Sequence, residues 1–296
     1  MRLKINGTAL NVFEAGVENY NKTRPSLVFL HYFAGSSVAW TEVIEPLATD
    51  FHCVAPDLRG FGASASTPEN YAVKDYADDV ADLISVLTIE NYILIGHSMG
   101  GKIALALAAR NPKNLHSLIL LAPSPPTAEP IKESERKKLL AAHGNRCIAT
   151  ETVCKAAGGK LPGAVFASAI DDNLRASETA WKWWLKAGSR EDVSAEIRKI
   201  NVPVLVAAGE KDEAMTPELL KREIVRRVEN ARLFVVPGGN HLLPLESAAA
   251  VVKLIRDNCE NHFNDNQKSF DTGEHTENIF DDGKEKHSIK KRTTNR

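Results

Sequence analysis

Cysteine is scarce, and the four present, Cys53, Cys147, Cys154 and Cys259, form no C-x-x-C pair. A zinc ribbon and a dithiol redox motif are thereby excluded, and a reduced, cytoplasmic setting is expected. Long apolar runs are missing too. No stretch approaches the roughly 18 apolar residues that cross a bilayer, so stable membrane insertion is not expected. The opening Met1-Arg2-Leu3-Lys4-Ile5-Asn6-Gly7 turns polar before an apolar stretch of about 7 to 15 residues can build, which is not the pattern of a signal peptide. Nor is there an excess of one charge. With 37 Lys and Arg against 38 Asp and Glu, the formal net charge is -1, and no whole-molecule field draws the chain to nucleic acid or to an anionic surface. His31, His52 and His97 lack ligand spacing, so no metal is expected, and no cofactor is assigned.

What is present is ordinary globular composition, 43% hydrophobic and 25% charged over 296 residues, which is material for a sizeable buried core. Arg2 to Ile5 and Leu10 to Glu14 read as a hairpin around Asn6-Gly7. Strand-like runs follow at Ser26 to Leu30, Phe51 to Ala55, Tyr92 to Ile95 and Leu118 to Leu121. Helical spacing separates them at Val38 to Ala48, Val73 to Leu87 and Met99 to Arg110. This alternation predicts an α/β fold with a mostly parallel sheet and helices on both faces. It breaks at Pro123-Ser124-Pro125-Pro126, where about 70 residues follow without a clear strand but with helices at Lys132 to Ala142 and Ala176 to Lys186. It resumes with Val202 to Ala208, a helix from Pro217 to Val228, Arg232 to Val236, and a helix from Ala248 to Cys259. The economical description is an α/β core of residues 1–124 and 197–259 interrupted by a helical cap, 125–196. Residues 260–296 mix both charges with few large apolar side chains, and read as a disordered tail.

Gly96-His97-Ser98-Met99-Gly100 matches G-x-S-x-G. The pattern alone is weak, but here it follows a buried strand directly and opens a helix, the setting that puts a serine on a strained, exposed bend. A serine hydroxyl needs a base, and the imidazolium so formed needs a carboxylate. Ligands of open α/β sheets bind at the carboxyl ends of strands, and there the later strands present Gly209-Glu210-Lys211-Asp212 and Pro237-Gly238-Gly239-Asn240-His241. Asp212 and His241 are the candidates to serve Ser98, with Glu210 and Glu213 as rival acids. Negative charge on a tetrahedral intermediate calls for preorganised N–H donors, assigned to Met99, directly after the serine, and to Phe33 in the loop after Ser26 to Leu30.

Together these residues resemble the α/β-hydrolase superfamily, in its cap-bearing branch of serine esterases and cofactor-free haloperoxidases. The resemblance spans about residues 3 to 258 and includes Asp57-Leu58-Arg59-Gly60-Phe61-Gly62-Ala63-Ser64, similar to that branch's D-x-x-G-x-G-x-S loop. It implies a Ser98, Asp212, His241 triad under a cap. The chain departs from it in having His31-Tyr32 where that branch usually has His-Gly. Asp57 and Arg59 are expected to fix their own loop. Tyr32, His97, Trp181 and Trp184 are the candidates for substrate contact, set against packing within the elbow for His97 and within the cap for the tryptophans. The implied activity is hydrolysis of a carboxylic ester, or a related acyl bond, of a small, partly apolar molecule. A serine at the elbow argues against the aspartate-dependent epoxide and haloalkane hydrolases of the superfamily. Lactone or C–C hydrolysis, perhydrolysis, and a ligand-binding receptor on the same fold remain open.

Overall fold

The computed structural model describes residues 1–272 apart from 22, 23 and 160, with side chains to residue 260. The first of two units, Met1–Arg256, carries everything discussed below, and a second begins at Asp257. β1 (Arg2–Ile5) and β2 (Thr8–Ala15) pair antiparallel with Ile5 opposite Thr8. That register leaves Asn6-Gly7 as a two-residue turn, at φ 45° and 78°, the left-handed pair that hairpin turns of this length favour.

β3 (Ser26–Leu30) is buried throughout, as a strand covered on both faces should be. A 3₁₀ turn, Ser37–Trp40, leads into α1 (Thr41–Leu47), then β4 (Cys53–Pro56), α2 (Val73–Val86), β5 (Tyr92–His97), α3 (Met99–Ala108) and β6 (Leu115–Leu121). After the insertion come β7 (Val204–Gly209) and β8 (Ala231–Val236). The described residues form an eight-stranded sheet in the order β1-β2-β4-β3-β5-β6-β7-β8, parallel from β4 to β8, with β2 antiparallel to its neighbours. The predicted α/β fold with a mostly parallel sheet is therefore the observed one.

Between β6 and β7 the sequence shows two helices, whereas the structure has four: α4 (Glu133–Ala141), α5 (Arg146–Ala156), α6 (Gly163–Arg175) and α7 (Glu178–Lys186). The missed pair, α5 and α6, pack on each other. Their buried apolar residues are Ala149 and Val153 on α5, and Ala169 and Ile170 on α6. α6 does carry a helical stripe, Phe166, Ala169, Ile170 and Leu174, whereas α5 buries only Ala149 and Val153. The helix expected over Pro217 to Val228 is α8 (Pro217–Leu220), which widens into a π turn at Lys221–Val225. After α9 (Leu243–Glu246), α10 (Ala248–Thr272) carries helical backbone into the segment read as a tail, and the rest of that segment lies outside the described residues.

Asp57 and Arg59 are spent on the architecture. Asp57 accepts hydrogen bonds from the Ser37 and Ala63 amides and from Asn11 Nδ2. Arg59 forms a two-pronged ion pair with buried Asp79 at 2.6 and 2.9 Å.

Candidate active site

Ser98 stands between the last residue of β5 and the first of α3 at φ 50°, ψ −115°. A non-glycine residue held there costs on the order of 1–3 kcal/mol, so the surroundings must over-determine it. They do. The Ser98 amide donates to the Leu121 carbonyl, and its own carbonyl accepts from Gly101 and Ser124. The flanking glycines allow this closeness: a Cβ on Gly96 would lie 2.5 Å from the Gly100 oxygen, and one on Gly100 would run into the Leu30 carbonyl.

His241 and Asp212 arrive from loops after β8 and β7. His241 Nε2 lies 3.0 Å from Ser98 Oγ, and His241 Nδ1 lies 2.7 Å from Asp212 Oδ2. The other carboxylate oxygen, Oδ1, accepts the amides of Ala214 and Met215. Burial alone would raise the Asp212 pKa, but His241 and these two amides outweigh it and hold the carboxylate below its usual range. Burial alone would lower the His241 pKa, and the Asp212 hydrogen bond and charge reverse the sign. Of the rival acids, Glu210 accepts the Gly238 amide and Glu213 is exposed.

His97 lies beneath this arrangement. Burial, with the neighbouring His241 adding to it, drives its pKa down to about 3, so the ring is neutral and its Nε2–H donates to the His241 carbonyl at 2.8 Å. His31 is fixed in a similar way: its Nε2 accepts the Leu58 amide and its Nδ1–H donates to the Tyr32 carbonyl. These bonds shape the loop after β3. Among the described residues, neither the Phe33 nor the Met99 amide donates to a protein acceptor. The Phe33 ring packs on Trp181 and Trp184, centroids 4.8 and 6.4 Å away, and both indoles are buried. Trp181 Nε1 donates to the Leu139 carbonyl, so the α7 tryptophans join the insertion to the loop after β3. Tyr32 is buried and lies 5.2 Å from His97, ring to ring.

Two residues near the site escaped the sequence reading. Glu129, beyond the end of β6, accepts a 2.5 Å hydrogen bond from Ser124 Oγ, and burial raises its pKa. Lys102, on α3, is fully buried, donates to the Thr127 carbonyl, and is pulled down by burial to about 8. Its signal was a lone charge in an otherwise apolar helix. Glu129 had none.

His241 and Asp212 line a cleft of about 740 Å³ whose far wall includes Ile131, Leu139 and Ala156 of the insertion. Among the described residues no group of three or more His, Cys, Asp or Glu is placed to hold a metal ion. Among the described residues no helix is long and apolar enough to cross a membrane.

Residues 25–142 match the family model described as alpha/beta hydrolase fold. The chain has the α/β-hydrolase fold. The chain is 28% identical over 270 residues to a 2-(acetamidomethylene)succinate hydrolase of Mesorhizobium japonicum, covering 86% of this chain and 92% of that one. In fold it is similar to an esterase from Exiguobacterium antarcticum, with TM-score 0.80, 20% identity, and coverage of 88% and 99% of the two chains. It is also similar to a bromoperoxidase from Bacillus anthracis, with TM-score 0.78, 19% identity, and coverage of 86% and 97%.

Proposed function

We propose that the protein is a serine hydrolase that cleaves a carboxylic ester, or a related acyl bond, of a small and partly apolar substrate. The reading is carried by one observation, the continuous hydrogen-bonded relay from Ser98 Oγ through His241 to Asp212. In the reaction, Ser98 Oγ attacks the acyl carbon while His241 Nε2 takes its proton, and Asp212 holds the Nδ1–H and stabilises the imidazolium. The carbonyl oxygen gains charge and is met by the free amides of Met99 and Phe33, each worth roughly 3 to 4 kcal/mol at the transition state. His241 then protonates the leaving alcohol, and water, deprotonated by the same imidazole, releases the acyl group from Ser98.

Hydrolysis of p-nitrophenyl esters from acetate to dodecanoate, by the parent and by Ser98→Ala, tests this. The parent is expected to turn over, with a chain-length optimum set by the cleft, and Ser98→Ala to lose on the order of 10⁴ or more in rate. Equal rates in both proteins overturn the proposal. Saturable ligand binding that raises Tm with no product release would instead favour a receptor on the same fold.

A further inference from the structure

Glu129 stands outside the triad, yet an unbroken set of hydrogen bonds joins it to the nucleophile. Its Oε1 accepts Ser124 Oγ at 2.5 Å, and the Ser124 amide donates to the Ser98 carbonyl at 2.9 Å. Ser124 lies in Pro123-Ser124-Pro125-Pro126, where three prolines fix φ and leave the segment little freedom to yield. This segment also packs on α3, the helix that Ser98 opens: a Cβ on Gly101 would lie 2.5 Å from the Pro123 side chain, and Lys102 Nζ donates to the Thr127 carbonyl at 3.0 Å. On the far side Glu129 meets the end of the insertion. Its amide donates to the Ser189 carbonyl at 2.8 Å, and Ser189 Oγ accepts Arg136 Nη1 of α4 at 2.7 Å. Ser124, Glu129, Arg136 and Ser189 are all buried.

A buried carboxyl is a costly way to hold one hydroxyl, which a neutral amide would hold as well, so the acid calls for a further role. Burial raises the Glu129 pKa, and the Ser124 bond and the charges of Lys102, His241 and Arg136 oppose it. The coupling to His241 runs both ways. Burial lowers the His241 pKa, and three acids from three parts of the chain raise it: Asp212 after β7, then Glu129 after β6, then Glu246 of α9. Glu246 is already engaged by the Asn240 amide and side chain, and His97 of β5 is the neutral ring beneath. Resting on the serine-hydrolase reading, we propose that Glu129 is a positioning residue of that reaction: through Ser124 it fixes the Ser98 backbone at the elbow, and it adds a second negative charge to the surroundings of His241.

The test compares the full-length parent with Glu129→Gln, Glu129→Ala, Ser124→Ala and the double variant Ser124→Ala/Glu129→Ala. Each is measured for kcat and KM toward p-nitrophenyl acetate and for the NMR titration midpoint of His241, with a thermal melt to show that it folds. Ser124→Ala and Glu129→Ala should each lower kcat severalfold with KM little changed, and the double variant should lose no more than either, because both cut one link. Glu129→Gln keeps an acceptor for Ser124 without the charge. It should recover most of the kcat lost in Glu129→Ala at pH values above the midpoint, while the His241 midpoint moves to lower pH. The proposal is overturned by additive losses in the double variant, by a raised KM at unchanged kcat, or by a His241 midpoint in Glu129→Gln equal to that of the parent. That titration needs no substrate. A parent without ester turnover therefore counts against the hydrolase reading, and the midpoint still decides whether Glu129 acts on His241.

Discussion

His241 sets the pH response of the site. Its folded pKa lies above the ordinary 6.5 because Asp212 outweighs burial, and catalysis needs the neutral ring, so kcat/KM should rise with pH through a midpoint above 6.5. Asp212→Asn removes the carboxylate and leaves burial to act, so the NMR titration midpoint of His241 should move to lower pH, with kcat falling on the order of 10⁴. A midpoint that stays in place would show that Asp212 does not tune the base. The same raised pKa makes protonated His241 stabilising below 6.5, a contribution lost as pH rises through the folded value. Lys102 acts in the opposite sense. Its pKa falls from 10.5 to about 8 on folding, so at neutral pH its charge opposes folding, and the penalty fades as pH rises from about 8 to 10.5. Lys102→Met should therefore melt higher than the parent at pH 7, even after loss of the Thr127 hydrogen bond, worth about 1 kcal/mol. Thermal melts at several pH values should show that advantage narrowing above pH 8, and a constant gap would mean that charge burial is not its source.

At the scale of elements, the insertion reaches the loop that holds the proposed base. The His241 amide donates to the Ala156 carbonyl at the end of α5, and Asn240 packs over Gly158, whose φ is 57°. A Cβ at that glycine would lie 2.6 Å from the Asn240 side chain and would also carry the left-handed strain that L residues avoid, about 1–2 kcal/mol. Gly158→Ala should shift the His241 loop, lowering kcat toward p-nitrophenyl acetate severalfold or more with a Tm loss of only a few degrees. Unchanged kcat would mean that α5 and this loop are uncoupled in function. The elbow between β5 and α3 was legible because glycines, serine and strand lie within a few residues of one another. Helix α5 was not, because its two buried apolar residues, Ala149 and Val153, are too few to mark a period.

Across the whole molecule, core and insertion fall within one unit, Met1–Arg256. Three of the four tryptophans, Trp181, Trp183 and Trp184, sit on α7 of the insertion, while far-ultraviolet circular dichroism reports the helices and strands of core and insertion together. Unfolding followed by tryptophan fluorescence and by far-ultraviolet circular dichroism should therefore give coincident transitions. Fluorescence that melts first would make the insertion an independently unfolding lid.

The sequence by itself determined the alternation of strand and helix and the parallel sheet, because hydrophobic period and turn chemistry are local. It also singled out Ser98, Asp212 and His241, since each follows a strand and the carboxyl ends of parallel strands share one edge of the sheet. Only the tertiary structure decided which of three nearby acids meets His241, and that His97 supports that loop as a neutral donor. Those outcomes depend on distance, burial and hydrogen bonds between segments remote in the chain, and no local pattern of residue types records them.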